Sequence, residues 1–128
     1  MKKLKITYRG ESYYARMLTD KAPHAVAAFE AACPFQSKLQ HAKICDNEMF
    51  FQAPVNIDER ENPTYSEPGH VSFFNFRQTV CIWYDEMVPL GFCNQFAVME
   101  EDLPRFAEMA STLWEKEGGL ATIEVVDE

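Results

Sequence analysis

The side chains best suited to chemistry concentrate in a long polar stretch at residues 58–69, where Glu61 directly precedes Asn62. A carboxylate beside an amide can bind an amide or amine ligand, or act as a general base with the amide orienting the ligand. The competing interpretation is architectural, because asparagine before proline favours a turn and Glu61 could pair with Arg60 or Arg77. Polar loops of this length are uncommon in compact domains and often form binding sites. Both interpretations of Glu61 therefore stay open at this point.

A histidine and a cysteine form a second candidate group. His41 shares the face of a predicted strand with Leu39, so it could point into a pocket and act as a base, although a half-exposed strand histidine is the simpler interpretation. Cys33 could be a nucleophile with His41 as its base. Its position on the apolar stripe at the end of a helix instead favours a packed cysteine, because the helix dipole disfavours a thiolate there. The four cysteines form no CxxC or CxxH pair, so we expect no metal site and no cofactor.

Length and charge restrict the class of protein. The chain has 128 residues, of which 47% are hydrophobic, and this is enough for one domain with its own core. A net charge of −8 argues against nucleic acid or an anionic membrane as partner, because the field of the protein repels phosphate. No apolar segment approaches the ~20 residues of a membrane span, and the basic start is followed by alternation rather than by the apolar run of a signal peptide. We expect a single cytoplasmic domain over residues 1–128 with reduced cysteines.

Hydrophobic periodicity predicts eight strands and two one-sided helices. A hairpin occupies the first 17 residues and turns at Arg9-Gly10. The first helix begins after Asp20 as N-cap and ends at Pro34, and the second helix runs over 103–114. Eight antiparallel strands can close a small barrel whose open ends two helices cover, while a two-layer sandwich of sheet and helices is the competing architecture. The six remaining strands are predicted at 36–45, 49–53, 71–76, 79–84, 92–99 and 120–126.

Several short pieces of sequence follow one another in a recognisable order. They are Ala32-Cys33-Pro34-Phe35, His41-Ala42, Glu61-Asn62 with Tyr65, Pro68-Gly69, Trp83-Tyr84 and Phe92-Cys93-Asn94-Gln95-Phe96. In this order they resemble a bacterial family of small, uncharacterised cyclophilin-like proteins. The resemblance extends from Ala32 to Met99 and implies a mainly β fold, namely a closed eight-stranded antiparallel barrel capped by two α-helices.

The chain departs from this resemblance at two positions. Asp85 stands where the family often has glycine, and Gln95 stands where it often has histidine, so any acid–base role of that histidine is absent. True cyclophilins resemble one another through a Phe-His-Arg segment and a Phe-x-x-Gln-Gly-Gly-Asp segment, and the chain has neither. We therefore expect no prolyl isomerase activity, since fold alone does not imply function.

The function expected from these observations is binding of a small polar molecule or a peptide. One alternative is an enzyme acting on an amide or carbonyl compound with Glu61 or His41 as base, and another is a structural or oligomeric accessory protein. Most strand aromatics should fill the core, and those that point outward could form the floor of a groove under the Glu61 loop. A surplus of aromatics predicts a homodimer. The expected ligand-binding residues are Glu61, Asn62, Tyr65, Tyr84, Asn94 and His41.

Overall fold

The computed structural model describes residues 1–44, 46–89 and 91–128, and these form ten strands and two α-helices. The structure has two strands more than predicted. The segment predicted to form a single strand, the third, is divided into two, and the long polar loop contains a short strand of its own. The strands are β1 Lys2–Tyr8, β2 Glu11–Met17, β3 Phe35–Lys38, β4 Gln40–His41, β5 Glu48–Gln52, β6 Pro63–Tyr65, β7 His70–Phe74, β8 Thr79–Trp83, β9 Phe92–Val98 and β10 Leu120–Asp127. The helices are α1 Pro23–Ala32 and α2 Leu103–Ser111, and the short 3-10 segments are Asn75–Arg77 and Thr112–Trp114.

All described strands belong to one antiparallel sheet. Its order is β3-β10-β1-β2-β9-β7-β8-β5-β4, and β6 pairs with β9 beside this path. The two outermost strands, β3 and β4, are separated along the chain by Leu39 alone. No backbone ladder joins these two edges in the described residues, so the structure shows a mainly β antiparallel sheet with two helices and not a hydrogen-bonded closed barrel.

The first hairpin is confirmed, and its turn explains its register. Arg9 and Gly10 both have positive φ, at 52° and 80°, as expected for the tight turn that matches the twist of two antiparallel strands. This turn places Ile6 opposite Tyr13, so that alternate side chains of both strands face the core. The predicted tight turn at Arg77-Gln78 is wrong, because Arg77 is the last residue of the 3-10 segment Asn75–Arg77 and Gln78 follows it in the left-handed conformation at φ 49°.

The predicted third strand over 36–45 is wrong as a single element. The chain instead breaks at Leu39, which is fully buried and separates β3, paired with β10, from β4, paired with β5. Apolar periodicity continues through the break because Leu39 is itself a core residue, so local sequence does not show that its neighbours join opposite edges. Cys45, at the end of the predicted strand, lies outside the described residues.

Each helix packs one face against the sheet. In α1, Phe29 stacks on Phe96 with ring centroids 4.5 Å apart and meets Phe73 edge-on at 5.8 Å. In α2, Phe106 meets Tyr13 edge-on at 5.3 Å. Aromatic pairs of these geometries add to the free energy gained from burying the rings. The alternating aromatics of the strands thus form one continuous core with the apolar stripes of both helices.

The start of α1 differs from the prediction. Asp20 is not its N-cap, because the helix begins at Pro23 and Ala22 occupies the capping position. Alanine has no side-chain acceptor for the free N–H groups of a helix start, so a residue from elsewhere must supply one.

Candidate functional site

Glu61 supplies the missing cap of α1. Its Oε2 accepts a hydrogen bond from the backbone N–H of His24 at 2.8 Å, and its Oε1 accepts one from the N–H of Ala25 at 3.0 Å. Pro23 has no N–H, and the N–H of Val26 already donates to the carbonyl oxygen of Ala22. Glu61 therefore satisfies both donors at this helix start that would otherwise have no acceptor. The carboxylate also interacts favourably with the positive end of the helix dipole.

The Glu61 carboxylate makes a further contact with the imidazole of His24. Oε2 lies 2.7 Å from His24 Nδ1. Burial alone would raise the pKa of Glu61, but hydrogen bonds from the His24 and Ala25 N–H groups and from the His24 ring lower it below its usual value. The same side-chain hydrogen bond raises the pKa of His24. Pairing with Arg60 or Arg77, expected as one alternative, is not among the described ion pairs, and the geometry supports the architectural interpretation of Glu61.

The other candidate residues of the polar loop anchor it to β9. Asn62 Nδ2 donates to the carbonyl oxygen of Gln95 at 3.2 Å, and the Gln95 N–H donates to the Asn62 carbonyl oxygen at 3.1 Å. Asn94 lies beside them, and its buried Oδ1 has no partner among the described residues. Glu61, Asn62 and Asn94 line a cavity of only about 10 Å³, room for one water molecule. Tyr65 lies outside this cavity, exposed, with its ring centroid 4.3 Å from that of Phe92.

Two other candidate residues, His41 and Tyr84, contact each other. His41 Nε2 and the Tyr84 hydroxyl are 2.7 Å apart and buried. His41 Nδ1 is 2.7 Å from the carbonyl oxygen of Ala42, which can only accept, so Nδ1 carries a proton. Since burial lowers the pKa of His41, the ring is neutral at pH 7, and Tyr84 donates its hydroxyl proton to Nε2. Burial also raises the pKa of Tyr84, which keeps that proton in place.

This pair borders an open groove of about 680 Å³, which we call the His41 groove. The ring of Trp114 meets His41 edge-on at 5.1 Å, and the Lys43 ammonium donates to the Trp114 carbonyl oxygen. Cys33 lies elsewhere, at the C-terminal end of α1, where burial raises the pKa of its thiol to about 11. Cys33 is therefore a neutral thiol at pH 7, and no hydrogen bond joins it to a histidine in the part of the chain that the structure describes, which argues against nucleophilic catalysis. The groove is lined by His41, Asp46, Asn47, Tyr84, Glu86, Met87, Val88, Ser111 and Trp114.

Replacing Tyr84 with phenylalanine tests whether this pair stabilises the fold. The substitution leaves the buried Nε2 of His41 without its donor, and we expect the free energy of unfolding to fall by about 1–3 kcal/mol. Tyr14→Phe is the matched control, because no hydrogen bond of the Tyr14 hydroxyl is found in the part of the chain that the structure describes. Urea unfolding of both variants measures the difference. Equal stability of the two variants would show that the His41–Tyr84 bond contributes nothing.

A second, mainly apolar cleft of about 420 Å³ lies on the outer face of the sheet. Its floor is formed by the outward-facing residues of β5 and β8, since Phe50 pairs with Cys81 and Glu48 with Trp83 across the ladder. The loops on either side of these strands form its walls, and Met87 and Val88 are shared with the His41 groove. We call this the apolar cleft. It is lined by Ala42, Lys43, Ile44, Glu48, Phe50, Ser66, Phe74, Phe76, Arg77, Thr79, Cys81, Trp83, Met87, Val88 and Cys93.

The Glu48 carboxyl group, the Ser66 hydroxyl and the Cys93 thiol lie among the aromatic residues of the apolar cleft. Glu48 is only 6% exposed, although it is a carboxylic acid at the start of a strand. Burial raises the pKa of the Cys93 thiol, a hydrogen bond with Ser66 partly offsets this, and the charge of Glu48 raises it further. Cys93 is therefore a neutral thiol at pH 7, and the carboxyl group of Glu48 lies close enough to influence it.

None of the six residues expected to bind ligand lines the apolar cleft. The expectation that outward-facing strand aromatics form the floor of a groove is nevertheless useful, because Phe74, Phe76 and Trp83 all line the cleft. The cleft differs in place from the expected groove, because Ser66 is the one residue of the polar stretch 58–69 that lines it and Glu61 lies elsewhere. One sequence signal could have located it: the run Val80-Cys81-Ile82-Trp83 is apolar without alternation, which is typical of a strand covered on both faces.

Comparison with known proteins supports a family assignment. Residues 4–87, more than half of the chain, match DUF3830, a protein family of unknown function. The chain belongs to the DUF3830 family. No curated protein matches it.

Two solved structures share the fold of this DUF3830 protein. One is McbB in complex with tryptophan, with a TM-score of 0.84, 14% sequence identity and coverage of 94% of this chain. This chain spans 44% of the McbB chain. The other is the solution structure of the hypothetical protein AF2241 from Archaeoglobus fulgidus, with a TM-score of 0.67, 16% identity and coverage of 95% of this chain and 92% of that one. At these identities the comparisons establish a common fold.

Two further features of the described residues bear on the kind of site. No group of three or more histidine, cysteine, aspartate or glutamate side chains is arranged there to hold a metal ion. None of the helices in the described ranges has the length and apolar character needed to cross a bilayer.

Proposed function

We propose that this DUF3830 protein binds a small molecule with an aromatic body and an amino group, and that the ligand occupies the apolar cleft. The observation that carries the proposal is the cleft itself, a concavity of about 420 Å³ with aromatic walls and the buried carboxyl group of Glu48 on its floor. Its volume falls in the range of small-molecule sites, which are mostly apolar with a few polar groups that fix orientation.

The lining favours a flat, apolar ligand body. Phe50, Phe74 and Trp83 offer ring faces and edges, and aromatic rings gain about 0.5–1.5 kcal/mol from stacked or edge-on pairing beyond the burial of their area. This lining suits an aromatic compound better than the small polar molecule or peptide expected from the sequence. A small polar molecule would place most of its hydrogen-bonding groups against the apolar walls, and the loss of their hydration would make the free energy of binding less favourable.

Three charged side chains line the cleft, the exposed cations Lys43 and Arg77 and the buried carboxyl group of Glu48, so a ligand amino group is favoured on the floor beside Glu48. Glu48 lies at the floor, where exclusion of water strengthens its attraction to a ligand ammonium. The net charge of −8 also attracts cations over longer distances and raises their rate of encounter. The McbB structure supports the same class of ligand, because tryptophan combines an indole ring with an amino group.

Isothermal titration with three related indoles tests the proposal. Tryptamine has only the ammonium, indole-3-propionate has only the carboxylate, and tryptophan has both. We expect tryptamine to bind most tightly and indole-3-propionate most weakly. Glu48→Gln should weaken tryptamine binding by about 10-fold, equivalent to about 1.4 kcal/mol, while changing the affinity for indole-3-propionate little.

Glu67→Gln is the matched control, because Glu67 is an exposed carboxylate next to Ser66 and outside the apolar cleft. It should leave the affinity for tryptamine unchanged. If indole-3-propionate binds more tightly than tryptamine, or if both variants weaken tryptamine equally, the assignment of Glu48 as the partner of the amino group is wrong. If none of the three indoles binds, the aromatic-amine ligand class is wrong.

An enzyme acting on an amide or carbonyl compound is the second candidate function. It is favoured by one observation, the 2.7 Å contact between His41 and Tyr84 at the edge of an open groove. A ligand proton taken up by the Tyr84 oxygen would be matched by transfer of the hydroxyl proton to His41 Nε2, so His41 would act as base through Tyr84. Glu61 is not the base in this scheme, because both its oxygens accept backbone hydrogen bonds. Turnover of indole amides or aldehydes that His41→Gln abolishes would support it.

We also propose that the sheet curls into a cyclophilin-like barrel. One hydrogen bond and one chain connection support closure. The Ser37 hydroxyl of β3 donates to the carbonyl oxygen of Gln52 in β5 at 2.6 Å, and Leu39 links β3 directly to β4. A barrel of this kind would place the apolar cleft on its outer wall, with the Phe29 and Phe96 rings inside.

A further inference from the structure

Exposed apolar side chains are concentrated around the apolar cleft. Nine large apolar residues of the described chain are exposed, and four of them line this cleft. Contiguous exposed apolar surface of this kind usually marks an interaction site, whereas isolated exposed apolar residues are ordinary. The four are Ile44, Phe74, Phe76 and Val88, and we call them the apolar rim.

Phe76 is the most exposed member of the apolar rim. The residue is 91% exposed and lies in the 3-10 segment between β7 and β8. Core packing therefore does not account for an aromatic residue at this position.

Charges of opposite sign lie at the two ends of β8, across the apolar rim. Arg77 precedes β8 and Glu86 follows it, and both are exposed. Neither side chain forms an ion pair with any residue that the structure describes. Asp85 adds a second exposed carboxylate beside Glu86, and Lys43, whose ammonium donates to the Trp114 carbonyl oxygen, also lines the cleft.

We infer that two copies of this chain associate through their apolar rims in a two-fold symmetric dimer. A two-fold interface brings the same patch of each copy together, so the patch must complement itself. If the two β8 strands run antiparallel across the interface, Arg77 of each copy faces Glu86 of the other. The parallel arrangement would place like charges together. The charge pattern therefore selects the antiparallel dimer.

The dimer also completes the apolar cleft. Phe76 of each copy would lie over the mouth of the cleft in its partner and exclude water from a ligand bound there. The inference stands on the rim and its charges and does not depend on ligand binding. Its tests are therefore made without ligand, and failure of the dimer is distinguishable from failure of the proposed function.

Sedimentation equilibrium of the full chain tests the inference. We expect a reversible dimer at micromolar concentration. Phe76→Asp should raise the dimer dissociation constant at least about 30-fold, as for an aromatic residue at the centre of an interface. Leu120→Asp is the matched control, because Leu120 is also a large exposed apolar residue, 63% exposed, but does not line the cleft. It should leave the dimer intact, and circular dichroism should show both variants folded.

A charge exchange tests the orientation. Arg77→Glu should weaken the dimer, and Arg77→Glu combined with Glu86→Arg should restore it, because the pairs re-form with reversed signs. A wild-type chain that is monomeric at high micromolar concentration would overturn the dimer. So would a dimer that Phe76→Asp leaves unchanged. A dimer that Phe76→Asp disrupts but that the double charge variant does not restore would overturn the antiparallel arrangement.

Discussion

Substituting Gly69 with alanine is expected to lower the free energy of unfolding by about 2–4 kcal/mol. Gly69 has φ of +95°, a conformation that residues with a Cβ rarely adopt. A Cβ built on this backbone would lie 2.6 Å from the carbonyl oxygen of Met99. The backbone cannot easily move away, because the Gly69 N–H donates to the Trp83 carbonyl oxygen and the Gly69 carbonyl oxygen accepts from the Met99 N–H, both at 2.7 Å.

Chemical unfolding compared with Gly119→Ala measures this effect. At Gly119 an added Cβ meets no atom within 4 Å, so the control should change stability little. The comparison separates the strain at one glycine from the general effect of adding a methyl group. Equal stability of the two variants would show that the segment at Gly69 rearranges freely and that its two backbone hydrogen bonds do not hold it.

The second large effect is expected at Glu61. Glu61→Ala should lower the free energy of unfolding by about 1–2 kcal/mol, because the N–H groups of His24 and Ala25 lose their acceptor at the start of α1. Glu61→Gln should cost less, since it retains one acceptor oxygen. Glu115→Ala is the control, because Glu115 is an exposed carboxylate with no hydrogen bond or ion pair in the described part of the chain.

The pH dependence of this loss follows from two pKa shifts. The pKa of Glu61 is lowered in the folded state, so its contribution is complete above the unfolded value of about 4.3 and is lost as pH falls through the folded value. The pKa of His24 is raised, so its contribution is complete below about 6.5 and is lost as pH rises through the folded value. The stability difference between wild type and Glu61→Ala should therefore be largest between about pH 4.3 and 6.5. A difference that does not vary with pH would contradict the ionic part of the cap.

Local patterns predict the elements of this fold well where the interaction is itself local. The first hairpin follows from alternation and from Arg9-Gly10, and both helices follow from their apolar stripes. The cap of α1 could not be predicted this way, because its acceptor lies 36 residues from Ala25 along the chain. Sequence singled out Glu61 as unusual and left its role open, since a carboxylate that caps a distant helix looks the same in sequence as one that binds a ligand.

In the candidate site, too, individual residues could be predicted from the sequence, but their contacts over long sequence separations could not. His41 and Tyr84 were each expected to be functional residues, but their contact joins residues 43 apart, and only the folded sheet brings them together. Glu48 was not predicted, because a glutamate beside a turn normally lies in solvent. Glu48 is buried because the loops on either side of β5 and β8 form the walls of the apolar cleft around it. The position of these loops depends on tertiary packing and not on their own sequence.

The most direct test of the central claim uses the two tryptophans of the chain, one in each concavity. Trp83 lines the apolar cleft, and Trp114 lines the His41 groove. In a ¹H–¹⁵N NMR spectrum their indole N–H groups give two separate signals, which Trp114→Phe assigns. Titration with tryptamine at constant protein concentration should shift the Trp83 signal in a saturable manner and leave the Trp114 signal in place. A shift of the Trp114 signal alone, or of neither signal at saturating tryptamine, would contradict binding in the apolar cleft.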